Sequence, residues 1–189
     1  MTQSQTDTVI RETAKQLFAK YGYDGLSMRT LSKASGVGLS SIYHFFKDKD
    51  ILLKAIYLET NARLGMLRGQ LPDSPTAEAA LAQLIEFQLE HIEDVVYVLK
   101  YYLHFRHDFA VLPTKTLPAK SVLHVEEVIH KGIKTGEFKI REGDIPAKAK
   151  VVAHTINGYL LEYYPDTPHG KERQDMVRDI VDFTMAGLA

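Results

Sequence analysis

The sequence predicts an all-α protein of about nine helices, on three observations. Apolar residues recur at three- and four-residue steps almost throughout, polar caps and glycines punctuate those runs, and no two alternating segments stand ready to pair as strands. Ile10, Ala14, Leu17, Phe18 and Tyr21 share one helical face, and Gly22 follows as a stop. Ser27 is placed to cap a second, short helix carrying Met28, Leu31 and Ala34. Gly36-Val37-Gly38 breaks it, since glycine readily takes the positive φ of a tight inter-helix turn. A third helix spans about 39–46, and Asp48 caps a long fourth one reaching residue 69, with Ile51, Leu52, Ala55, Ile56, Leu64 and Leu67. The segment Leu71-Pro72-Asp73-Ser74-Pro75-Thr76 is the plainest break in the chain. Further helices are expected over 76–93, 95–109, 115–135, 145–163 and 171–187, separated at Glu93-Asp94, Leu112-Pro113, 136–144 and 165–170. Glu137-Phe138-Lys139-Ile140 alternates, but it is short and has no partner strand.

A composition of 45% hydrophobic and 25% charged residues is that of a globular protein. No stretch approaches the roughly 20 apolar residues that cross a bilayer, so no membrane partner is expected. The start, Met1-Thr2-Gln3-Ser4-Gln5-Thr6-Asp7, lacks the basic and apolar regions of a secretory signal. The absence of cysteine excludes disulfides, thiolate catalysis and cysteine-bound zinc, and agrees with a cytoplasmic protein. The net charge of −1 is unevenly spread. Through Lys54, eight basic residues face five acidic ones, while the remainder carries an acidic excess. A mildly basic head on an acidic body suits a phosphate-facing module joined to another function, although chance scatter produces the same imbalance.

Two short helices joined by a glycine turn are the parts of a helix-turn-helix, whose second helix enters the DNA major groove. Here the second helix begins with small and hydroxyl residues, Leu39-Ser40-Ser41, which let its start approach base edges and phosphates. Ile42 and Phe46 can bury on its far side, while Tyr43 and His44 offer polar tips. Lys49 falls in the first turn of the next helix, where an ammonium and free backbone N–H groups together favour an anion. Taken singly, these aromatics read as core residues and Lys49 as a solvated charge.

At these spacings residues 9–56 resemble the DNA-binding domain of the TetR family of regulators. The resemblance rests on Gly22-Tyr23-Asp24-Gly25, on Ser27-Met28-Arg29-Thr30-Leu31-Ser32-Lys33-Ala34-Ser35-Gly36-Val37, on Tyr43-His44-Phe45-Phe46 and on Asp48-Lys49-Asp50-Ile51-Leu52. It runs without a gap, whereas the remaining two-thirds resembles the family only in length, helicity and helix order. It implies a helix-turn-helix domain over 1–47 and a helical regulatory and dimerisation domain over 48–189, with helix 48–69 connecting them. Tyr43, Lys49 and Ser27 fall where family members contact phosphate. Arg29, Leu39, Ser40, Ser41 and His44 fall where bases or nearby backbone are read. Three positions depart from the pattern: Phe45 replaces the common His or Tyr, Ser32 replaces a packing alanine, and Gly38-Leu39 stands where small polar pairs are usual. The last change shifts base readout toward apolar contact with thymine methyls.

In the body, Val152, Ile156 and Leu160 form one face of the eighth helix and Met176, Ile180 and Thr184 a stripe on the ninth. Such stripes fold onto their own core or meet their copies in a four-helix seam. The resemblance favours the seam, and hence a homodimer reading two half-sites, with Gly158 allowing close helix approach. The middle helices carry Phe87, His91, Tyr97, Tyr101, His104, Phe105 and His124, which line a pocket for a small-molecule effector or simply fill the core. His104 and His107 have no carboxylate at a ligand spacing, so no metal is expected, and no cofactor motif appears. No nucleophile–base pair stands at a meaningful spacing, so no catalytic residue and no enzyme is expected. The resulting expectation is a ligand-responsive repressor that binds a pseudopalindromic double-stranded operator. The alternative is a co-regulator on the same fold that binds a protein partner and no DNA.

Overall fold

A computed structural model describes residues 2–109 and 119–189. The described residues form nine α-helices and one short 3-10 turn, with no strand. In order these are α1 (Gln3–Gly25), α2 (Met28–Ser35), α3 (Leu39–Phe45), α4 (Lys49–Arg68), α5 (Ala77–Glu90), α6 (Ile92–Phe109), α7 (Ala119–Thr135), α8 (Ile145–Tyr163) and α9 (Gly170–Leu188). The expected Leu112-Pro113 separator and a helix start at residue 115 lie outside the described residues.

Local chemistry sets most boundaries. Thr2 opens α1 with a reciprocal capping box to Gln5, and Gly22 interrupts the helix at φ +71°. Ser27 caps α2 through the Thr30 N–H at 3.0 Å, and Gly36 ends that helix in the left-handed region at φ +69°. The side chain of Asp48 accepts from the Ile51 N–H at 2.8 Å at the head of α4. One expected separator is displaced. Glu93 and Asp94 do not part α5 from α6; they occupy the first turn of α6, and the break falls at His91. Acidic side chains suit a helix start, where the backbone N–H groups are unsatisfied and the dipole is positive.

The described chain divides into two compact units: Met1–Leu67 with Glu93–Arg106, and Arg68–Ile92 with His107–Ala189. In the first, Ile10, Ala14, Phe18 and Ala19 of α1 are buried together with Leu31, Ile42, Leu52, Leu53 and Tyr57. Tyr21 and Ala34, expected on buried faces, are exposed, and Lys15 is buried instead. The reason is electrostatic. Lys15 Nζ lies 3.0 Å from Asp94 Oδ1 and 2.8 Å from Glu12, and Arg63 of α4 binds the second Asp94 oxygen. Aromatic packing continues the same junction. Phe18 meets Tyr97 at 5.2 Å, Tyr57 stacks on Tyr101 at 4.5 Å, and the Tyr97 hydroxyl donates to the Leu53 carbonyl at 2.7 Å.

In the second unit α7 packs on α5 and α8, and α9 packs on α5 and α8. Residues 137–140 form no strand. The Glu137 carboxylate instead accepts from the Ala77 N–H at 2.9 Å and caps α5 beside Thr76. Phe138 is buried against Gly132, where a Cβ would fall 2.1 Å from the ring.

Breaking the Asp94 junction is expected to be costly, because it leaves the buried Lys15 ammonium with the exposed Glu12 alone and Arg63 without its partner. Asp94→Ala should lower unfolding free energy in urea by about 3 kcal/mol. Lys15→Met combined with Asp94→Leu should lie nearer to wild type, since it removes the charge along with its partner.

Candidate nucleic-acid interface

The surface of the helix-turn-helix follows from how its two short helices spend their apolar residues. Met28 and Leu31 of α2, and Ile42 and then Phe46 of α3, are buried. That leaves Arg29 on α2, and Ser40, Ser41, Tyr43 and His44 on α3, exposed, with Leu39 half-buried at the open end of the helix. Tyr43 is 50% exposed, more than a Tyr held for packing alone would be. Phe45 is half-buried, edge-on to His44 at 5.8 Å, and contributes packing where a polar residue is usual. The turn between the helices is closed by Ser32, whose hydroxyl donates to the Val37 carbonyl at 2.7 Å. The departure from alanine at that position therefore supplies a hydrogen bond.

Two residues expected at phosphates also hold the protein together. Ser27 is exposed, but its Oγ serves as the α2 cap. Lys49 is only half-exposed: its Nζ donates to the Tyr23 and Leu26 carbonyls at 2.9 and 3.0 Å and sits 3.4 Å from the centre of the Tyr23 ring. The end of α1 leaves carbonyls without intrahelical partners, and a lysine is a ready donor to them. Tyr23 in turn donates to Asp50 at 2.6 Å, and that bond, followed by burial, pushes its pKa up to about 12. Arg11 of α1 covers the Phe46 ring at 4.9 Å and pairs with Asp7 at 2.8 Å. The sequence signals Arg11 only as a basic residue on the first helix.

The residues expected around an effector are divided between the two units, and Tyr97, Tyr101, His104 and Phe105 of the first pack on one another. Tyr97 and Tyr101 are core residues of the first unit, 0% and 4% exposed, and burial drives the Tyr97 phenol pKa well up. His104 stacks on Tyr23 at 4.0 Å, and Phe105 meets the same ring edge-on at 5.5 Å. In the second unit Phe87 is buried and edge-on to His91 at 4.7 Å. His124 alone of the seven lines a described cavity, about 280 Å³, with Arg68, Asp73, Gln83, Glu127 and Lys131. Among the described residues no three of His, Cys, Asp and Glu gather to hold a metal ion. No described helix is long and apolar enough to cross a membrane.

The six residues expected at a dimer seam are largely covered within the protomer. Val152, Ile156, Leu160, Met176, Ile180 and Thr184 are each 8% exposed or less, although Val152 and Thr184 line one surface groove and Met176 and Ile180 another. A side chain already excluded from water has almost no area left for a partner. The apolar groups that α8 and α9 leave outside are Val151 at 67%, Tyr159 at 43% and Phe183 at 71%.

A capped, glycine-turned helix pair with its apolar residues turned inward and a polar second helix turned outward defines the class of helix-turn-helix proteins. Residues 10–56 match the family model described as bacterial regulatory proteins, tetR family. It is similar to the HTH-type transcriptional repressor Rv1474c of Mycobacterium tuberculosis, at 40% identity over 55 residues, which is 29% of each protein. The matched stretch therefore spans under a third of that repressor's length. Similarity to the HTH-type transcriptional regulatory protein RaaS of the same organism is lower, 27%, but covers 82% of this chain and 69% of that one. The fold as a whole is similar to the crystal structure of a putative TetR-family regulator from Rhodococcus sp., with a TM-score of 0.71 and 19% identity over 96% of this chain and 99% of that one.

Tyr43 and Lys49 separate experimentally. Tyr43→Phe should leave the thermal midpoint within a degree or two, because the hydroxyl touches nothing that holds the fold. Lys49→Met takes the donor from the Leu26 carbonyl and leaves Tyr23 with the Leu26 N–H alone, and should cost roughly 1–3 kcal/mol in chemical unfolding, whatever it does to DNA affinity.

Proposed function

We propose that the chain is a transcriptional repressor that binds a pseudopalindromic operator as a dimer and releases it on binding a small molecule. The observation that carries the reading is the polarity of α3, which hides Ile42 and exposes Ser40, Ser41, Tyr43 and His44. Hydroxyl and imidazole groups on the free face of a second helix are suited to base edges and phosphates in the major groove. Arg29 approaches from α2, while Ser27 and Lys49 act at the flanking backbone. The relatives named as repressors support the same reading. In this scheme residues 1–47 read DNA, residues 48–189 regulate and dimerise, and helix 48–69 links the two functions. The chemistry assigned to the chain is binding, with no catalytic step.

One short recognition helix has little contact with DNA, so a specific site needs two protomers with half-sites about 34–36 Å apart or a multiple of that. The outer faces of α8 and α9 support such pairing. Beside Val151 and Phe183 lies an apolar groove of about 360 Å³, bordered by Ala147, Thr155, Gly187 and Leu188 and floored by Val152 and Thr184 of the expected seam. The effector is assigned to the polar cavity of the second unit. There Lys131 holds Asp73 and the Ser74 carbonyl, Arg68 pairs with Glu127 at 3.1 Å, and the Arg68 Nε–H is buried without a partner. Arg68 is the last residue of α4, so a ligand that competes for it acts on the end of the connecting helix. Binding to DNA weakens only by the difference in the ligand's affinity for the two states of the protein.

Selection of random duplexes on purified protein should enrich a palindrome bound by two protomers, with affinity falling steeply as salt rises. Phe183→Glu should shift the protein toward monomer in sedimentation and lose that two-protomer complex. If selection yields no enrichment over non-specific binding, the repressor reading fails and a protein partner becomes the reading to test.

A further inference from the structure

We infer that Leu39 determines operator specificity by contacting the 5-methyl group of one thymine in each half-site, an assignment that rests on the DNA-binding reading of α3. Leu39 lies three residues before Ile42, which lies four before Phe46, on one helical line, but burial is lost at the start of that line. Phe46 is 4% exposed and Ile42 fully buried, while Leu39 at the open end remains half-exposed. Its unburied apolar surface lies in sequence beside the exposed Ser40 and Ser41, on the helix that carries Tyr43 and His44.

Its neighbours leave it prominent. Gly38 has φ −57°, which any residue adopts, and a Cβ there would meet only Ser41 Oγ at an ordinary 3.8 Å. The fold thus does not demand glycine at position 38. With glycine before it and two serines after it, the isobutyl group is the bulkiest side chain at that end of the helix. It carries no donor or acceptor. In the major groove every base edge offers hydrogen-bonding groups, and thymine alone adds an apolar one, its methyl. An isobutyl group placed against a cytosine amine or a guanine carbonyl removes water from a polar group and returns no hydrogen bond. Against a thymine methyl it removes water from an apolar group on both sides. Leu39 therefore selects by attraction to thymine and by desolvation of the alternatives.

The test replaces each thymine of the selected operator by deoxyuridine, which removes only the methyl group, and measures affinity for wild type and for Leu39→Ala. For wild type, one symmetry-related position should stand out, losing about fourfold when one half-site is changed and about fifteenfold when both are. Leu39→Ala should bind the unmodified operator more weakly and respond to deoxyuridine at that position by less than about twofold. Its salt dependence should match wild type, because no phosphate contact is lost. The wild-type series alone can overturn the assignment, and Leu39→Thr carries the comparison if Leu39→Ala folds poorly. No sensitive thymine, or a sensitive thymine whose effect persists undiminished in Leu39→Ala, overturns the assignment to Leu39. Failure to enrich any operator is a separate outcome, and it overturns the DNA-binding reading together with this one.

Discussion

The first unit is organised around one buried carboxylate. Asp94 enters from the first turn of α6 and takes Lys15 of α1 on one oxygen and Arg63 of α4 on the other. Three helices distant in sequence are thereby held at one point. Burying a charge is unfavourable unless its partners are close and its lone pairs are used, and here both conditions hold. Burial by itself lowers the Lys15 pKa, but the bonds to Glu12 and Asp94 together outweigh it, and the net shift is upward. A cation with a raised folded-state pKa contributes stability that is complete below its unfolded pKa of about 10.4 and is lost as pH rises through the folded value. At neutral pH the junction is therefore intact. The aromatic set of Phe18, Tyr57, Tyr97 and Tyr101 packs in the core of the same unit.

The exposed face of α3 is a consequence of that frame. A seven-residue helix has little stability of its own, so its orientation comes from what it buries and from how its neighbours are tied down. Ile42 and Phe46 fix its inner side, with Arg11 laid over the Phe46 ring. Lys49 fixes the end of α1 to the start of α4, across the two short helices between them. A side chain at this position thus serves structure. The same is true of Ser27, whose oxygen is engaged by its own helix.

Much of this was legible in the sequence, because the signals were local. A serine three residues ahead of its target N–H, a glycine at a positive φ and an aspartate before an apolar run each specify their structure within a few residues. The burial of Ile42 and Phe46 and the exposure of Tyr43 and His44 follow from helical periodicity alone. What was not legible depended on partners far along the chain. Nothing near Lys15 announces that Asp94, 79 residues away, will bury it. Periodicity likewise showed that α8 and α9 carry apolar stripes but not how many layers those stripes have to fill. Val152 and Met176 read as surface for a partner only if the protomer is assumed to have core enough without them.

That last ambiguity has a physical resolution. α5, α7, α8 and α9 pack on one another, and a helix within such a group presents an apolar arc wider than a two-residue seam. The strongest positions of the stripe, Ile156, Leu160 and Ile180, go inward, where they are fully desolvated. Any seam then has to use the edges of the arc, which on these helices are Val151, Tyr159 and Phe183. An isolated exposed leucine or valine is unremarkable on a protein surface, but a phenylalanine 71% exposed beside an apolar groove is harder to leave in water. The residues with the clearest helical period are thus largely covered within the protomer, and the less regular apolar residues flanking them are the ones left exposed.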